Sequence, residues 1–289
     1  MSLEDFVRHR SLLFTVAYEL LGSAADAEDV VQETWLRWSA VDLAQVADPR
    51  AYLVRIVTRL GLNRLRTLSR QREDYIGNWL PEPLLTSPDV ADDAELAQSV
   101  SLAMMVVLET LTPTERAVFV LHEVFAVPHT EIAAAIDKSP AAVRQIAHRA
   151  REHVAARQPR VSVDRHEQER AVDRFMAAIG SGDLASVIDA LAPEVIMVAD
   201  GGGVKAAFRP VVVGAEKVAK VLAVFGRDAT GLELLPARLN GSAALVIHMD
   251  GRLDTAVGVA VEDGRISALY LIRNPAKLTA LADEVPLTR

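Results

Sequence analysis

The chain contains no cysteine, which excludes a disulfide framework, cysteine-ligated zinc and thiol catalysis. No apolar run approaches the roughly 18 residues needed to span a bilayer. The opening MSLEDFVRHR carries mixed charge where a secretory signal would be basic and then apolar. A cytoplasmic protein with no membrane partner is expected. Hydrolase and metal signals are missing too. G-x-S-x-G does not occur, and His122-Glu123 lacks the second histidine of H-E-x-x-H because Ala126 stands there. His129, His148 and His153 are not at ligand spacing around an acid. No metal, cofactor or catalytic residue is implied, and neither an internal repeat nor a low-complexity tract is present.

Two further absences concern charge. Between Arg50 and Arg72 there is no acid, only Arg50, Arg55, Arg59, Arg64, Arg66, Arg70 and Arg72. From Glu73 to Glu115 the sign reverses: Glu73, Asp74, Glu82, Asp89, Asp92, Asp93, Glu95 and Glu109 occur with no Lys or Arg. The net charge of -8 therefore does not argue against nucleic acid, because affinity for phosphate follows local charge density. Block segregation of this kind points to faces with different partners.

A chain of 289 residues calls for two or three domains. Leu12, Leu13, Val16, Ala17, Leu20 and Leu21 recur at the spacing of an amphipathic helix. Gly22 ends that helix, and Ser23 or Asp26 can cap the next. The second helix sets Val30, Val31, Thr34 and Trp38 near one side and leaves Asp29, Gln32 and Glu33 outward. Asp48-Pro49 opens a third, with proline at its first position. Residues 73–97 hold Pro81, Pro83 and Pro88 among many acids and read as a linker, with Trp79-Leu80 as its compact apolar feature. Thr112-Pro113-Thr114-Glu115 has the form of a capping box.

Residues 131–151, EIAAAIDKSPAAVRQIAHRAR, read as two short helices around a tight turn. Ser139 is the expected N-cap of the second helix and Pro140 its first residue. Alanines 133, 134, 141, 142 and 147 allow the two helices to approach closely. This is the build of a helix-turn-helix that reads the DNA major groove with the N-terminal half of its second helix. Arg144 and Gln145 lie where base edges are met; Arg with guanine or Gln with adenine contributes about 1–3 kcal/mol of discrimination. Arg149 and Arg151 lie further along and suit phosphate.

Beyond Ser162 the pattern changes. Helical segments over 164–192 give way to β-rich runs at 195–200, 208–213, 232–240, 243–249, 255–263 and 265–273. A helix, GAEKVAKVLAVFG, sits between the second and third runs, and Asn240-Gly241 and Asp263-Gly264 are strong hairpin signals. An α+β domain with a curved sheet over helices follows. DGGGVK (200–205) lacks the G-x-x-x-x-G-K-[ST] spacing of a phosphate loop. It reads either as a loop that docks Asp200 and Lys205 on a neighbouring domain or as a plain glycine turn.

The segments ADAEDVVQETWLRW (25–38) and PRAYLVRIVTRLGLNRLR (49–66) resemble the promoter −10 domain of the extracytoplasmic-function sigma factors of bacterial RNA polymerase, and residues 111–154 resemble their −35 domain. WLPEP (79–83), DGGGVK (200–205) and NPAKL (274–278) resemble motifs of the subgroup with a fused C-terminal domain. The resemblance implies a multidomain protein: two all-α sigma domains, the second with the helix-turn-helix, plus a C-terminal α+β SnoaL-like or NTF2-like cone. Sigma region 2 is expected over 1–73, the linker over 74–96, region 4 over 97–158 and the regulatory domain over 162–289. The implied partners are the clamp and flap of core polymerase and promoter DNA, with no separate anti-sigma factor.

Carried onto this sequence, the resemblance assigns Asp26, Glu28, Asp29, Gln32 and Glu33 to polymerase. Arg55, Arg59, Asn63, Arg64 and Arg66 are assigned to the −10 element, and Ser139, Arg144, Gln145, His148, Arg149 and Arg151 to the −35 element. Many family members carry Asn near position 59 and Asp near 63, where this chain has Arg59 and Asn63, so the −10 base preference does not carry over. Asp137 stands at a turn position usually held by Gly and tolerates the positive φ required there. Trp79, Leu80, Pro81, Glu82 and Pro83, with Asp200, Gly201, Gly202, Gly203 and Lys205 and with Asn274, Pro275, Lys277 and Leu278, are expected to form one regulatory interface. That interface would hold the C-terminal domain against the promoter-reading domains. A rival reading makes the C-terminal domain an enzyme or a sensor of an unidentified small ligand, with Asp200, His248 and Asp254 as the groups that would serve it.

Overall fold

The computed structural model describes the chain except for residues 1, 43, 45, 88–89, 91–92, 158–163, 206, 208–209 and 228–230. The boundaries expected at Pro159 and Ser162, and the first residues of the 208–213 strand, lie outside the described residues. The chain divides into two compact units. Unit 1 comprises Met1–Asp74, Met105–Gln158 and Pro286–Arg289, and unit 2 comprises Tyr75–Met104 and Pro159–Val285.

In unit 1, α1 (Ser2–Leu21), α2 (Ala24–Ser39) and α3 (Pro49–Glu73) pack together. Gly22 stops α1 at φ +66°. Ser23 caps α2 by accepting from the Asp26 N–H at 3.2 Å, and Asp48 caps α3 through the Ala51 N–H at 3.1 Å. Leu13, Val16, Ala17, Leu20, Val31, Trp38, Leu53 and Val57 are buried in this unit. Gly61 lets α3 close on α1, since a β-carbon there would sit 3.0 Å from Leu20.

Two short helices follow α3, α4 (Ala94–Val100) and α5 (Leu102–Leu108), with the unit boundary inside α5. The helices of the second half of unit 1 are α6 (Pro113–Phe119), α7 (His129–Ile136) and α8 (Pro140–Ala155). Thr112 and Glu115 form the capping box of α6. A π-helical turn, Val120–Val124, follows α6. Asp137 ends α7 in the left-handed region at φ +53°, and Ser139 caps α8 through the Ala142 N–H at 3.2 Å. A part-buried ion network joins the two halves of this unit. Glu109 pairs with both Arg72 and Arg116, Arg72 also donates to the Leu21 carbonyl, and Arg116 Nε donates to the Glu19 carbonyl at 2.8 Å. The guanidiniums thereby also satisfy carbonyls at the C-terminal end of α1, which lack intrahelical partners.

Unit 2 carries a six-stranded sheet in the order β2-β1-β6-β5-β4-β3. Its strands are β1 (Leu191–Asp200), β2 (Val212–Val213), β3 (Leu232–Leu239), β4 (Ser242–Met249), β5 (Arg252–Glu262) and β6 (Arg265–Ile272). Among the described residues, β1 and β6 pair in parallel and the other paired strands run antiparallel. One face carries α9 (Arg165–Ser181), α10 (Leu184–Ala190) and α11 (Ala215–Arg227), with Phe175, Val187 and Val218 packed among Val195, Met197, Leu245, Val257, Leu269 and Leu271. Helices on one face of a mainly antiparallel sheet are the α+β arrangement expected. Asn240-Gly241 and Asp263-Gly264 turn with positive φ at both residues, as does Asp250-Gly251, a third hairpin signal that the sequence reading passed over.

Residues 75–104, which include the expected linker and the first residues expected of region 4, group with unit 2. Leu84 N–H donates to Asn240 Oδ1 at 2.9 Å, Asn240 Nδ2 donates to the Val100 carbonyl at 2.9 Å, and Gly241 N–H donates to Thr86 Oγ1 at 2.9 Å. Leu85 makes an isolated bridge to Leu239 on the edge strand β3. The segment meets the sheet at Gly258 on β5, where a β-carbon would run into Leu102, and at the β3–β4 turn, where one at Gly241 would stand 2.9 Å from Ala97.

Two glycines separate close packing from chain entropy. A β-carbon at Gly258 would collide with Leu102, whereas nothing lies within 4 Å of one at Gly180 in α9. Gly258→Val is expected to destabilise by about 1–3 kcal/mol through overpacking. Gly180→Ala should stabilise by about 0.4–1 kcal/mol. Chemical denaturation of the full chain checks both, and equal midpoints would refute the packing account.

Candidate functional site

The second helix of the helix-turn-helix, α8, buries Val143, Ile146, Ala147, Ala150 and Val154 and exposes the opposite side. Arg144 and Gln145 are exposed in its N-terminal half, held there by the Ser139 cap and Pro140. The other residues of this set are engaged within the unit: Arg151 with Glu123 at 2.8 Å, Arg149 with Glu115 at 3.9 Å and His148 with Glu152 at 3.6 Å. Exposed pairs of this kind contribute little and give way to a stronger anion.

On α3, Leu53, Val57, Leu60 and Leu65 face inward, while Arg55, Arg59, Asn63, Arg64 and Arg66 are exposed. Arg55 lies over the Tyr52 ring at 4.7 Å, and Arg66 Nη1 reaches Asn63 Oδ1 at 3.4 Å. Arg64 Nε donates to Asp26 at 2.7 Å. Arg59 is turned to other work: its guanidinium binds the end of α7 and Asp137. The Arg64–Asp26 pair crosses two expected sites, polymerase and −10 DNA, which the sequence kept apart.

The acidic face on α2 divides similarly. Glu28 pairs with Arg10 at 2.7 Å and Glu33 with Arg37 at 2.7 Å. Asp29, Gln32, Glu33 and Leu36 share one exposed stripe at i, i+3, i+4 and i+7. Leu36, 66% exposed, was not anticipated; its signal was an apolar residue out of register with Val31, Thr34 and Trp38. Trp38 is fully buried and Trp35 packs on Phe6 with ring centroids 5.0 Å apart.

The three motifs of the expected regulatory interface converge within unit 2 on one carboxylate. Asp200 is fully buried. It accepts from the Tyr75 hydroxyl at 2.6 Å, the Leu80 N–H at 2.9 Å, the Gly202 N–H at 3.0 Å and Lys277 Nζ at 2.8 Å. Lys277 lies 4.0 Å from the Trp79 ring centroid and donates to the Leu80 carbonyl. Asn274 Nδ2 donates to the Tyr75 oxygen at 2.9 Å, and its own Oδ1 accepts from the Ala276 N–H at 3.1 Å, with Pro275 opening a short 3-10 turn. Gly202 is required at φ +61°, where a β-carbon would stand 2.5 Å from Asn274; Gly203, at φ +72°, would meet Ile76, and Gly201 would meet the backbone at Lys205. Leu80, Pro81, Pro83 and Leu278 are buried and Glu82 is half-buried. Burial, with the Asp200 carboxylate beside it, pushes the Tyr75 phenol well above its ordinary value, so it remains a donor. Tyr75 was not singled out from the sequence, although it is an aromatic in a polar stretch four residues before Trp79.

Lys205 departs from expectation. It pairs with Asp254 on β5, which also accepts from Arg273 at 3.1 Å and Thr255 at 2.7 Å, and so does not join the Asp200 cluster. A bulge between β4 and β5 accounts for this, because Ile247 pairs with Thr255 and His248 with Leu253, leaving Asp254 as the extra residue. Burial works to raise the Asp254 carboxyl. The hydrogen bonds from Lys205 and Thr255 and the charge of Arg273 outweigh it and hold the group below its usual range. A poised base needs the opposite shift. Asp200 has its lone pairs filled, and His248 Nδ1 is buried with no hydrogen-bond partner among the described residues.

A family model described as sigma-70 region 2 matches residues 6–71, and one described as sigma-70, region 4 matches residues 101–154. The chain is 40% identical over 293 residues to the ECF RNA polymerase sigma factor SigJ of Mycobacterium tuberculosis (strain ATCC 25618 / H37Rv), covering 96% of this chain and 94% of that relative. It is 33% identical over 282 residues to the probable ECF RNA polymerase sigma factor SigI of Mycobacterium tuberculosis (strain CDC 1551 / Oshkosh), covering 96% and 94%. The crystal structure of M. tuberculosis SigJ matches with a TM-score of 0.78 at 37% identity, covering 97% of this chain and 99% of that one.

Asp200→Ala would leave the Lys277 ammonium, 7% exposed, without its carboxylate. Removing one partner of a buried pair costs about 3–5 kcal/mol. Denaturant unfolding of the full chain should show that loss. Stability equal to wild type would mean that the cluster is dispensable.

Proposed function

From the premise that this chain belongs to the extracytoplasmic-function RNA polymerase sigma factors, we propose how its residues divide the work of promoter recognition. As a sigma factor it directs RNA polymerase to promoters for transcription initiation. The stripe of Asp29, Gln32, Glu33 and Leu36 on α2 meets the polymerase clamp, with Leu36 as an apolar anchor in a polar rim, the usual anatomy of an interface. Arg55, Asn63 and Arg66 on α3 track the −10 element, where opening the duplex costs a few kcal/mol per extruded base and a cationic groove offsets it. On α8, Arg144 and Gln145 read −35 base edges while Arg149 and Arg151 exchange their glutamates for phosphates.

The observation that carries this reading is the exposure of Arg144 and Gln145 in the N-terminal half of a capped helix whose other side is packed. The sheet domain then acts as regulator through the segment it holds. Residues 75–104 join the −10 half of unit 1 to the −35 half and are part of unit 2. Fully extended, this segment would reach on the order of 100 Å. The −10 and −35 elements lie about 25 base pairs apart, on the order of 85 Å of B-DNA. Pinning the segment shortens its reach, so the fused domain supplies the restraint and no separate anti-sigma factor is required.

Arg144→Ala is expected to weaken −35-dependent binding by about 1–3 kcal/mol and to relax base preference at one position. In vitro transcription with core polymerase and a cognate promoter measures it. An unchanged yield and preference would show that α8 is not the reading helix.

A further inference from the structure

The guanidinium of Arg59, on the −10 helix α3, makes three bonds to the helix-turn-helix of the same unit. Nε donates to the Ala135 carbonyl at 3.0 Å, and Nη2 donates to the Ala134 carbonyl at 3.0 Å and to Asp137 Oδ1 at 3.2 Å. The carbonyls belong to the last turn of α7, where they lack helical partners and where the helix dipole is negative. Asp137 supplies the left-handed turn residue and the only formal charge in the contact besides Arg59 itself. A glycine at 137 would make the same turn without the carboxylate.

We propose that Arg59 and Asp137 form a reversible clasp that holds the two promoter-reading halves of unit 1 closed on each other. Arg59 is thereby withheld from the −10 element until the clasp opens. The proposal rests on the sigma-factor reading, which places α3 and the α7–α8 pair on different promoter elements. Elements on the order of 85 Å apart along B-DNA cannot both be read while a residue of one reader is hydrogen-bonded to the other. The burial of the groups says which contact yields first. The Arg59 and Asp137 side chains are 47% and 86% exposed, so water and salt compete with them, whereas Arg116 is 2% and Glu109 18% exposed. The clasp is the weak end of the joint and the Arg72–Glu109–Arg116 network the strong one.

The absence of cysteine makes the test direct. Spin labels on the full-length Arg50→Cys/Glu131→Cys protein, at exposed positions of α3 and α7, report the separation of the two halves at the clasp. Wild type should give one short, narrow distance. Asp137→Gly and Asp137→Asn, both compatible with the turn, should raise the ratio of open to closed molecules by about 2- to 5-fold, as expected of a half-exposed ion pair. High salt should do the same in wild type, since the Debye length falls from about 10 Å at 0.1 M to about 3 Å at 1 M. Distances in both variants identical to wild type at low and high salt would overturn the clasp. Run-off transcription with core polymerase on the same preparations tests the underlying reading separately, because a failure to transcribe would remove the sigma assignment without altering what the distances say.

Discussion

A carboxylate with no access to water must find its hydrogen bonds inside the protein, and Asp200 is such a group. Its four donors come from Tyr75, Leu80, Gly202 and Lys277, which lie far apart in sequence. Two of them belong to the segment that follows α3. Satisfying this one group therefore fixes residues 75–80 to the sheet domain and orders the glycine loop through φ values that side chains resist. It also brings the Asn274–Leu278 turn over the Trp79 ring. The segment that would otherwise be a flexible tether becomes part of a folded unit.

Unit 1 shows a second use of charge. An exposed arginine finds the nearest acid. Arg64 is held by Asp26, Arg151 by Glu123 and Arg149 by Glu115. These pairs are solvent-screened and exchangeable. Arg72 and Arg116 are different, because their shared Glu109 and the carbonyls at the end of α1 keep them inside the unit. The same residue type thus makes exchangeable pairs on one surface and ties the unit together a few turns away, with burial separating the two.

Much of the local structure was legible because its causes are local. The caps at Ser23, Asp48, Thr112 and Ser139, the left-handed Asp137 and the hairpin turns at Asn240-Gly241 and Asp263-Gly264 follow from residue chemistry within a few positions. The six β-rich runs and the helix before the third correspond to strands and to α11 for the same reason. Partners distant in sequence were not legible from local chemistry. Lys205 had two acids within reach in principle, and a bulge that no local signal marks gave it Asp254. The acidic, proline-rich segment after α3 has a linker's composition, and its hydrogen bonds to Asn240 and Gly241 show where it packs. The rings of His122 and His129 meet with centroids 3.9 Å apart where the π-helical turn and Ala126 at φ +51° fold the chain back, a contact that spacing alone does not show.

In the function proposed above, the sheet domain governs promoter recognition by holding the segment between the two reading halves. Run-off transcription from a promoter series with varied −10/−35 spacing tests it most directly, comparing wild type with the Asp200→Leu/Lys277→Met double variant, which removes both buried charges together. The account predicts a narrow spacing optimum for wild type and a broad one for the variant, with polymerase binding retained. The same spacing profile in both proteins would contradict it.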